Sequence, residues 1–203
     1  MPHVLILDEI NRIDLSRLFG EAFSALENRE EPIDLGIADY KLSIPSNLYV
    51  IGKMNEIDFS LERIDFALRR RFLWFFYGFD QNALSQIIWH KNGELNTRLR
   101  EEEVERFINN ANALNRAVVE LPELGEQYQI GHTFFAEVVN IFKSYKELKG
   151  YYNRLQNQIF RYDGAAKILW EISIEPILSA FLGNMDKESK TEKLNELKKI
   201  FLK

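Results

Sequence analysis

Short aliphatic runs alternate with helical stripes in the first part of the chain. Residues 4–7 and 48–52 are continuous apolar runs, which predict strands buried on both faces of a parallel sheet. Apolar positions three and four apart predict a helix over 15–28, and a serine cap predicts a short one over 60–69. An aromatic run at 72–77 predicts a third strand. This alternation predicts an α/β sheet covered by helices on both faces.

Between the two aliphatic runs the pattern changes to a period of two. Apolar residues alternate with polar ones over 33–37 and again over 40–44. This pattern predicts a small hairpin that closes near residues 38–39 and ends at Pro45.

The remainder of the chain shows helical periodicity and no strand signal of similar strength. We therefore place a domain boundary after residue 78, with an α/β core over 1–78 and an all-helical subdomain over 79–203. The predicted helices of the second part are residues 80–89, 101–119, 137–149, 165–182 and 187–203.

The amino-acid composition and net charge exclude several classes of protein. The chain has 203 residues, 46% of them hydrophobic and 28% charged, which is typical of a globular protein. It has no cysteine, which excludes a disulfide scaffold or thiol nucleophile and favours a reducing, cytoplasmic setting. No apolar run approaches the roughly 18 residues of a membrane span, and the start does not resemble a signal peptide. The net charge of −5 argues against coating nucleic acid by charge alone.

The first aliphatic run ends abruptly in two carboxylates, Asp8 and Glu9. At the carboxyl end of a buried parallel strand, one carboxylate can hold Mg²⁺ through water. The other can orient or polarise the water that attacks a γ-phosphate. An acidic surface turn after a strand explains the same residues equally well.

Two later features point to the same chemistry. Asn55 follows the second aliphatic run, where an amide can hydrogen-bond the attacking water and the γ-phosphate, although asparagine also commonly opens turns. Residues 69–71 are three arginines at the predicted end of a helix. The helix dipole favours cations there, but they also suit an arginine finger reaching into the nucleotide site of the next subunit.

Three strings, in this order, closely resemble AAA+ ATPases, and most of all the McrB-type branch, the motor subunits of 5-methylcytosine-specific restriction systems. Related dynein-like and MoxR-like modules share part of the first string. The helical part resembles the lid of the same branch. The strings are LDEINR at 7–12, GKMNEID at 52–58 and DFALRRRF at 65–72, with IGHTFF at 130–135, WEI at 170–172 and EPIL at 175–178 in the lid.

The resemblance implies a fold and a set of roles. It implies an incomplete α/β AAA+ P-loop NTPase core followed by an all-helical lid, working with Mg²⁺ and GTP or ATP. Asp8 and Glu9 correspond to the Walker B pair, with Asp8 as the metal ligand and Glu9 as the catalytic carboxylate. Asn55 corresponds to the sensor-1 amide, which contacts both water and nucleotide.

The resemblance also implies partners and interface residues. Arg70 and Arg71 are the arginine-finger candidates, Asp58 helps to shape the neighbouring subunit's site, and Arg12 lies near the subunit interface. The complete module would form a homo-oligomeric, hexameric ring. It would drive DNA translocation for a McrC-type nuclease and meet DNA only through other domains, with no membrane role.

No Gly-x-x-x-x-Gly-Lys-Ser/Thr loop occurs in the sequence. We therefore expect this chain to be the C-terminal portion of a module whose P-loop lies upstream, and to be inactive alone. A truncated gene product, a split subunit and a fragment all fit. A non-catalytic scaffold or oligomerisation remnant is the alternative function.

One position departs from the family pattern near the carboxylates. Lys53 stands where a threonine is usual. On a strand, residues 53 and 55 share a face, so we expect the ammonium group to point toward Asp8 and Glu9. There it would pair with the carboxylates and compete with Mg²⁺, which would weaken the site.

Overall fold

The structure, a computed structural model, describes residues 1–12, 24–34, 40–54, 69–149, 159–160 and 164–203. Two compact units divide the chain, Met1–Phe75 and Phe76–Lys203. The first unit is α/β and the second is helical, which confirms the predicted fold class of a small parallel sheet with helices followed by an all-helical part.

The first unit is built on a parallel pair of strands. Strand β1 (His3–Leu7) pairs with β4 (Leu48–Gly52) over five residues of each, from His3 opposite Leu48 to Leu7 opposite Gly52. Parallel neighbours end at the same edge of a sheet, so the residues after Leu7 and Gly52 lie side by side. Both predicted aliphatic strands are confirmed.

The predicted hairpin is present between these strands. Strands β2 (Ile33–Asp34) and β3 (Lys41–Leu42) pair antiparallel, with Ile33 opposite Leu42. The predicted turn at 38–39 lies outside the described residues. Of the helix predicted over 15–28, residues 24–27 are described and helical. Of the one predicted over 60–69, only Arg69 is described, and it is helical.

The prediction that the aliphatic strands are buried on both faces is wrong. Val4 is 56% exposed, Ile6 64% and Tyr49 57%. Aliphatic side chains favour burial, but the faces of a sheet are buried only where a second layer of structure packs over them. Of the described helical residues 24–27, Leu26 packs against Ile10, which follows the end of β1.

The prediction of a third strand over residues 72–77 is also wrong. The described residues 73–80 form no regular structure, and Leu73 and Phe75 are almost fully exposed. A strand needs a neighbour for its backbone hydrogen bonds, and an apolar pattern alone cannot supply one. Instead, Trp74 folds back and donates from Nε1 to the carbonyl of Arg69 at 2.7 Å.

The described residues of the second unit form helices joined by short connections. Each of the five predicted helices has a counterpart, and His132–Ala136 was not predicted. The elements are α1 (Gln81–Leu95), α2 (Glu101–Glu120), a 3₁₀ turn (Glu126–Tyr128), α3 (His132–Ala136), α4 (Val138–Lys149), α5 (Ala165–Leu169), a π-helical segment (Trp170–Ile174), α6 (Glu175–Phe181) and α7 (Lys187–Phe201).

Local signals explain where these helices begin and bend. Asp80 caps α1 and Asp186 caps α7, each accepting from two backbone N–H groups. Asp186 gains two backbone donors in this way, which lowers its pKa. Pro176 cannot donate a backbone hydrogen bond in α6. The π-helical segment directly before α6 accommodates this irregularity, with Glu175 N–H bonded to the carbonyl of Trp170.

The second unit has a large aromatic and aliphatic core. Phe107, Phe135, Trp170 and Phe201 are fully buried and meet one another at ring-centroid distances of 5.6–6.4 Å. Such tilted and edge-to-face pairs stabilise beyond the area that they bury. Across the described ranges, no helix is long and apolar enough to cross a membrane.

Candidate functional site

The ends of β1 and β4 form one continuous edge. After the last strand pair, Lys53 N–H donates to the carbonyl of Leu7 at 2.8 Å, and Ile10 N–H donates to the carbonyl of Lys53 at 2.9 Å. Asp8 and Glu9 therefore lie in the loop between these two hydrogen bonds. The ladder fixes their backbone positions, and both side chains are more than half exposed.

Glu9 has an unusual backbone conformation. Its φ is 53°, in the left-handed region that L residues other than asparagine and aspartate rarely adopt. The chain turns tightly here, because Arg12 N–H donates to the carbonyl of Glu9 at 3.0 Å. Arg12 Nε also lies 2.6 Å from Glu9 Oε2, although both side chains are more than half exposed.

Lys53, the residue directly after β4, contacts the other carboxylate, as predicted. Its Nζ lies 3.1 Å from both carboxylate oxygens of Asp8. The two side chains are 69% and 63% exposed. An exposed ion pair of this kind contributes about 0–1 kcal/mol, so a divalent cation can displace the ammonium at little cost.

A small apolar cluster holds the surrounding segments together. Ile10 is only 7% exposed, and four partly buried side chains pack against it. They come from the end of β1, the helical residues 24–27, the segment after β4 and the arginine turn. The four are Leu7, Leu26, Met54 and Phe72.

Gly52 makes room for the centre of this cluster. A Cβ atom at this position would lie 2.8 Å from Ile10 Cδ1, closer than real carbon atoms approach. Because Gly52 has no side chain, Ile10 packs directly on the end of β4. Leu7 and Ile10, on either side of Asp8 and Glu9, are thus packed against the end of β4 and the segments that contribute to this cluster.

The three arginines at 69–71 have different surroundings. Arg71 Nε lies 2.9 Å from Glu27 Oε1, and its side chain is only 15% exposed. The Arg69 guanidinium lies 5.1 Å from the centre of the Trp74 ring, within the range of a cation–π contact. Arg70 is exposed.

The chemistry available at this edge is that of exposed carboxylates with cations beside them. The described residues contain no group of three or more acidic, histidine or cysteine side chains that could enclose a metal ion. Mg²⁺ commonly uses only one or two carboxylates and takes its other ligands from water and phosphate. The donor set of Asp8 and Glu9 therefore suits a cation that arrives with a phosphate ligand.

Two comparisons with known proteins match parts of this chain. Residues 1–72 match the model of the AAA domain, dynein-related subfamily. Over 143 residues, 66% of its length, the chain is 35% identical to the EcoKMcrB subunit of a type IV methyl-directed restriction enzyme from Escherichia coli K12. Together these two matches support a McrB-type AAA+ module. It spans 30% of the length of that relative.

In this McrB-type module, the structure brings part of the predicted site together. Asp8, Glu9 and Arg12 share one loop, and Lys53, the residue directly after β4, reaches into it. Arg70 and Arg71 belong to the turn that Phe72 anchors in the apolar cluster. The predicted site residues Asn55 and Asp58 lie outside the described residues.

The structure adds residues that the sequence did not single out. Ile10 and Gly52 form the centre of the packing behind the loop, and Glu27 holds Arg71. An isolated isoleucine in an otherwise polar run is a signal that could have identified Ile10. Nothing in the sequence pattern connects Glu27 with Arg71, since they are far apart in the chain.

The lid string of the McrB-type module is held by a buried asparagine. Asn115 on α2 donates from Nδ2 to the carbonyl of Ile130 at 3.0 Å and accepts from its N–H at 2.7 Å. Both residues are 2% exposed. The side chain thus satisfies both backbone groups of Ile130 and fixes the turn that leads through Gly131 into α3.

Nearby, an ion pair joins the first and fourth helices of the lid. Lys91 Nζ on α1 lies 2.6 Å from Oε1 of Glu137, which directly precedes α4. This hydrogen bond is the largest cause of a lowered pKa for Glu137, and a second hydrogen bond from Asn140 acts in the same direction.

Proposed function

We propose that this chain is part of a ring-forming nucleoside triphosphatase that hydrolyses GTP or ATP. The observation that supports this most is the carboxylate pair at the end of β1, held beside the end of β4 by the ladder through Lys53. This is the edge where parallel α/β sheets bind their ligands. The family match over residues 1–72 agrees with the same assignment.

Each residue of the proposed site has a role suited to its chemistry. Asp8 would hold Mg²⁺, mainly through water, and Glu9 would orient and polarise the attacking water. When bound, the ion would neutralise charge on the β- and γ-phosphates. Asn55 would hydrogen-bond the water and the γ-phosphate. Arg70 and Arg71 are the candidates that would stabilise transition-state charge in the neighbouring subunit's site.

Two further residues are proposed to act at the subunit interface. Asp58 would help to shape the adjoining nucleotide site. Arg12 would lie at the interface, and its contact with Glu9 would exchange for one with the neighbouring subunit. Both assignments rest on the resemblance of the 7–12 and 52–58 strings to the family.

The proposed assembly is a hexameric ring of copies that works with a McrC-type nuclease. The relative is described as a subunit of a methyl-directed restriction enzyme, which motivates this partner. DNA would be contacted through domains other than this one, and the motor would be driven by hydrolysis between subunits.

Hydrolysis assays test this function. ATP and GTP turnover is measured for the chain alone and after joining it to the Walker A segment of a McrB-type relative. We expect turnover only in the joined form, and its loss in Glu9→Gln with nucleotide binding retained. Glu31→Gln, which removes an exposed carboxylate elsewhere in the first unit, is the matched control and is expected to keep turnover.

A non-catalytic scaffold is the second candidate. The ion pairs of Lys53 with Asp8 and of Arg12 with Glu9 favour it, because both carboxylates are already neutralised by cations of the same chain. Ring assembly without hydrolysis in both forms of the assay above would support the scaffold and contradict the proposed NTPase.

A further inference from the structure

The turn that carries the three arginines is fixed at several points. Phe72 N–H donates to the carbonyl of Arg69 at 3.4 Å, so Arg70 and Arg71 occupy the two central positions of a tight turn. The Arg69 carbonyl also accepts from Trp74 Nε1. Phe72 packs in the cluster around Ile10, which also contains Leu26 from the helical residues 24–27. The backbone of the turn is therefore held on both sides.

Arg71 supplies a further attachment, and to the same helical segment. Its Nε lies 2.9 Å from Glu27 Oε1, and its side chain is 15% exposed compared with 47% for Glu27. A guanidinium withdrawn from water to this extent requires a charged partner. If Arg71 reached out to another subunit, it would leave Glu27 without this cation and remove the ion pair between the turn and the helical residues 24–27.

Arg70 has the opposite character. It is exposed at the corner of the turn, and within the described part of the chain it makes no ion pair or hydrogen bond through its side chain. Its two neighbours in sequence are both engaged, Arg69 over the Trp74 ring and Arg71 with Glu27. Of the two finger candidates, Arg71 has an ion pair to break before it can reach another subunit, and Arg70 has none within the described residues.

We propose that Arg70 is the arginine finger and that Arg71 holds the turn that positions it. This proposal rests on the proposed NTPase function. Arg71 is a positioning residue. Its pairing with Glu27 sets the turn so that Arg70, and not Arg71, reaches the triphosphate of the neighbouring subunit. Glu27, which no motif identifies, thereby becomes a residue on which turnover depends.

A charge swap distinguishes a positioning role from a finger role. Turnover is measured in the hydrolysing form of the protein for Arg71→Glu, for Glu27→Arg, and for the two combined. If Arg71 positions the turn, the combined variant restores the pair, and we expect its kcat to recover to within about tenfold of the unsubstituted protein. If Arg71 is the finger, a glutamate there cannot serve, and the combined variant stays as inactive as Arg71→Glu.

The matched control swaps the neighbouring arginine. Arg70→Glu combined with Glu27→Arg is expected to remain inactive, with a loss of about 10³-fold or more in kcat and little change in KM for nucleotide, as for removal of an arginine finger. Recovery in this control, or no recovery in the Arg71 swap, would overturn the proposal.

Two measurements keep the test decisive if the swapped pair folds poorly. The neutral pair Glu27→Gln with Arg71→Gln keeps a hydrogen bond, so it should retain turnover under the proposal and lose it if Arg71 is the finger. Thermal unfolding should show that Arg71→Ala and Glu27→Ala are strongly non-additive, whereas Arg70→Ala leaves unfolding unchanged. Additive single effects would overturn the positioning role.

Failure of the proposed function gives a separate result. If the unsubstituted protein does not hydrolyse nucleotide after joining to a Walker A segment, the NTPase assignment fails and the role of Arg70 fails with it. Hydrolysis by the unsubstituted protein, with an inactive Arg71 swap that folds normally, would overturn only the division of work between the arginines.

Discussion

Replacing Asn115 by alanine should strongly destabilise the helical unit, because two buried hydrogen bonds are lost at once. The asparagine satisfies both backbone groups of Ile130, with hydrogen bonds of 3.0 and 2.7 Å. Each bond contributes about 1 kcal/mol net, and each buried group left without a partner costs about 1–3 kcal/mol. Because both residues are 2% exposed, water cannot replace the lost partner. We expect a total loss of about 3 kcal/mol.

The assay is thermal or urea unfolding of the chain, compared with a matched control on the same helix. Asn110→Ala removes one hydrogen bond, from Nδ2 to the carbonyl of Phe201 at 2.9 Å, in a partly buried position. We expect it to cost about 1 kcal/mol. For a unit of this size, the 3 kcal/mol lost in Asn115→Ala corresponds to a fall in Tm of about 10 °C.

A second substitution tests the direction of each hydrogen bond. Asn115→Asp keeps the acceptor for Ile130 N–H but places a carboxylate oxygen against the Ile130 carbonyl. We expect it to be as destabilising as alanine at neutral pH and to recover on acidification, when the protonated carboxyl can donate. If Asn115→Ala cost no more than Asn110→Ala, the two-sided role of this side chain would be refuted.

Three other substitutions probe the loop and the lid. Gly52→Ala should force Ile10 to move, because the new Cβ would lie 2.8 Å from Ile10 Cδ1, and should cost about 1–2 kcal/mol in urea unfolding; an unchanged midpoint would contradict this packing. Lys53→Thr should raise the affinity for Mn²⁺, measured by electron paramagnetic resonance, by up to about fivefold, since an exposed ion pair with Asp8 is worth about 0–1 kcal/mol. Lys41→Thr, at an exposed position of β3, is the control. Equal Mn²⁺ affinities of Lys53→Thr and the unsubstituted protein would show that Lys53 does not compete with the metal ion. The lowered pKa of Glu137 means that its ion pair stabilises the fold above the ordinary pKa of 4.5 and that this stability is lost as the pH falls through the lowered value. Glu137→Gln should therefore be less stable than the unsubstituted protein at pH 7, with a gap that closes in acid; a gap independent of pH would refute the assignment.

Features that depend on local periodicity could be predicted from the sequence. The two aliphatic strands, the hairpin and the five helices of the second unit follow from spacing that the chain itself carries. The contact of Lys53 with Asp8 was also predicted, although Lys53 lies just after β4 and is placed beside Asp8 by its backbone hydrogen bond to the carbonyl of Leu7.

Features that depend on distant partners could not be predicted. The run at 72–77 has the composition of a strand, but whether it pairs depends on a neighbour that composition does not specify. The exposure of β1 and β4 depends in the same way on what covers them. Asn115 reads as an ordinary polar position on a helix, and only the position of Ile130 gives it a structural role.

The left-handed backbone of Glu9 makes glycine the more stable residue at this position, whereas the proposed catalytic role requires the carboxylate. An L side chain with φ near 53° costs about 1 kcal/mol, and glycine adopts the same conformation without strain. A library selected only for heat resistance would therefore tend to enrich glycine at residue 9 and discard the carboxylate. Retention of glutamate under such selection would indicate a benefit that melting temperature does not record.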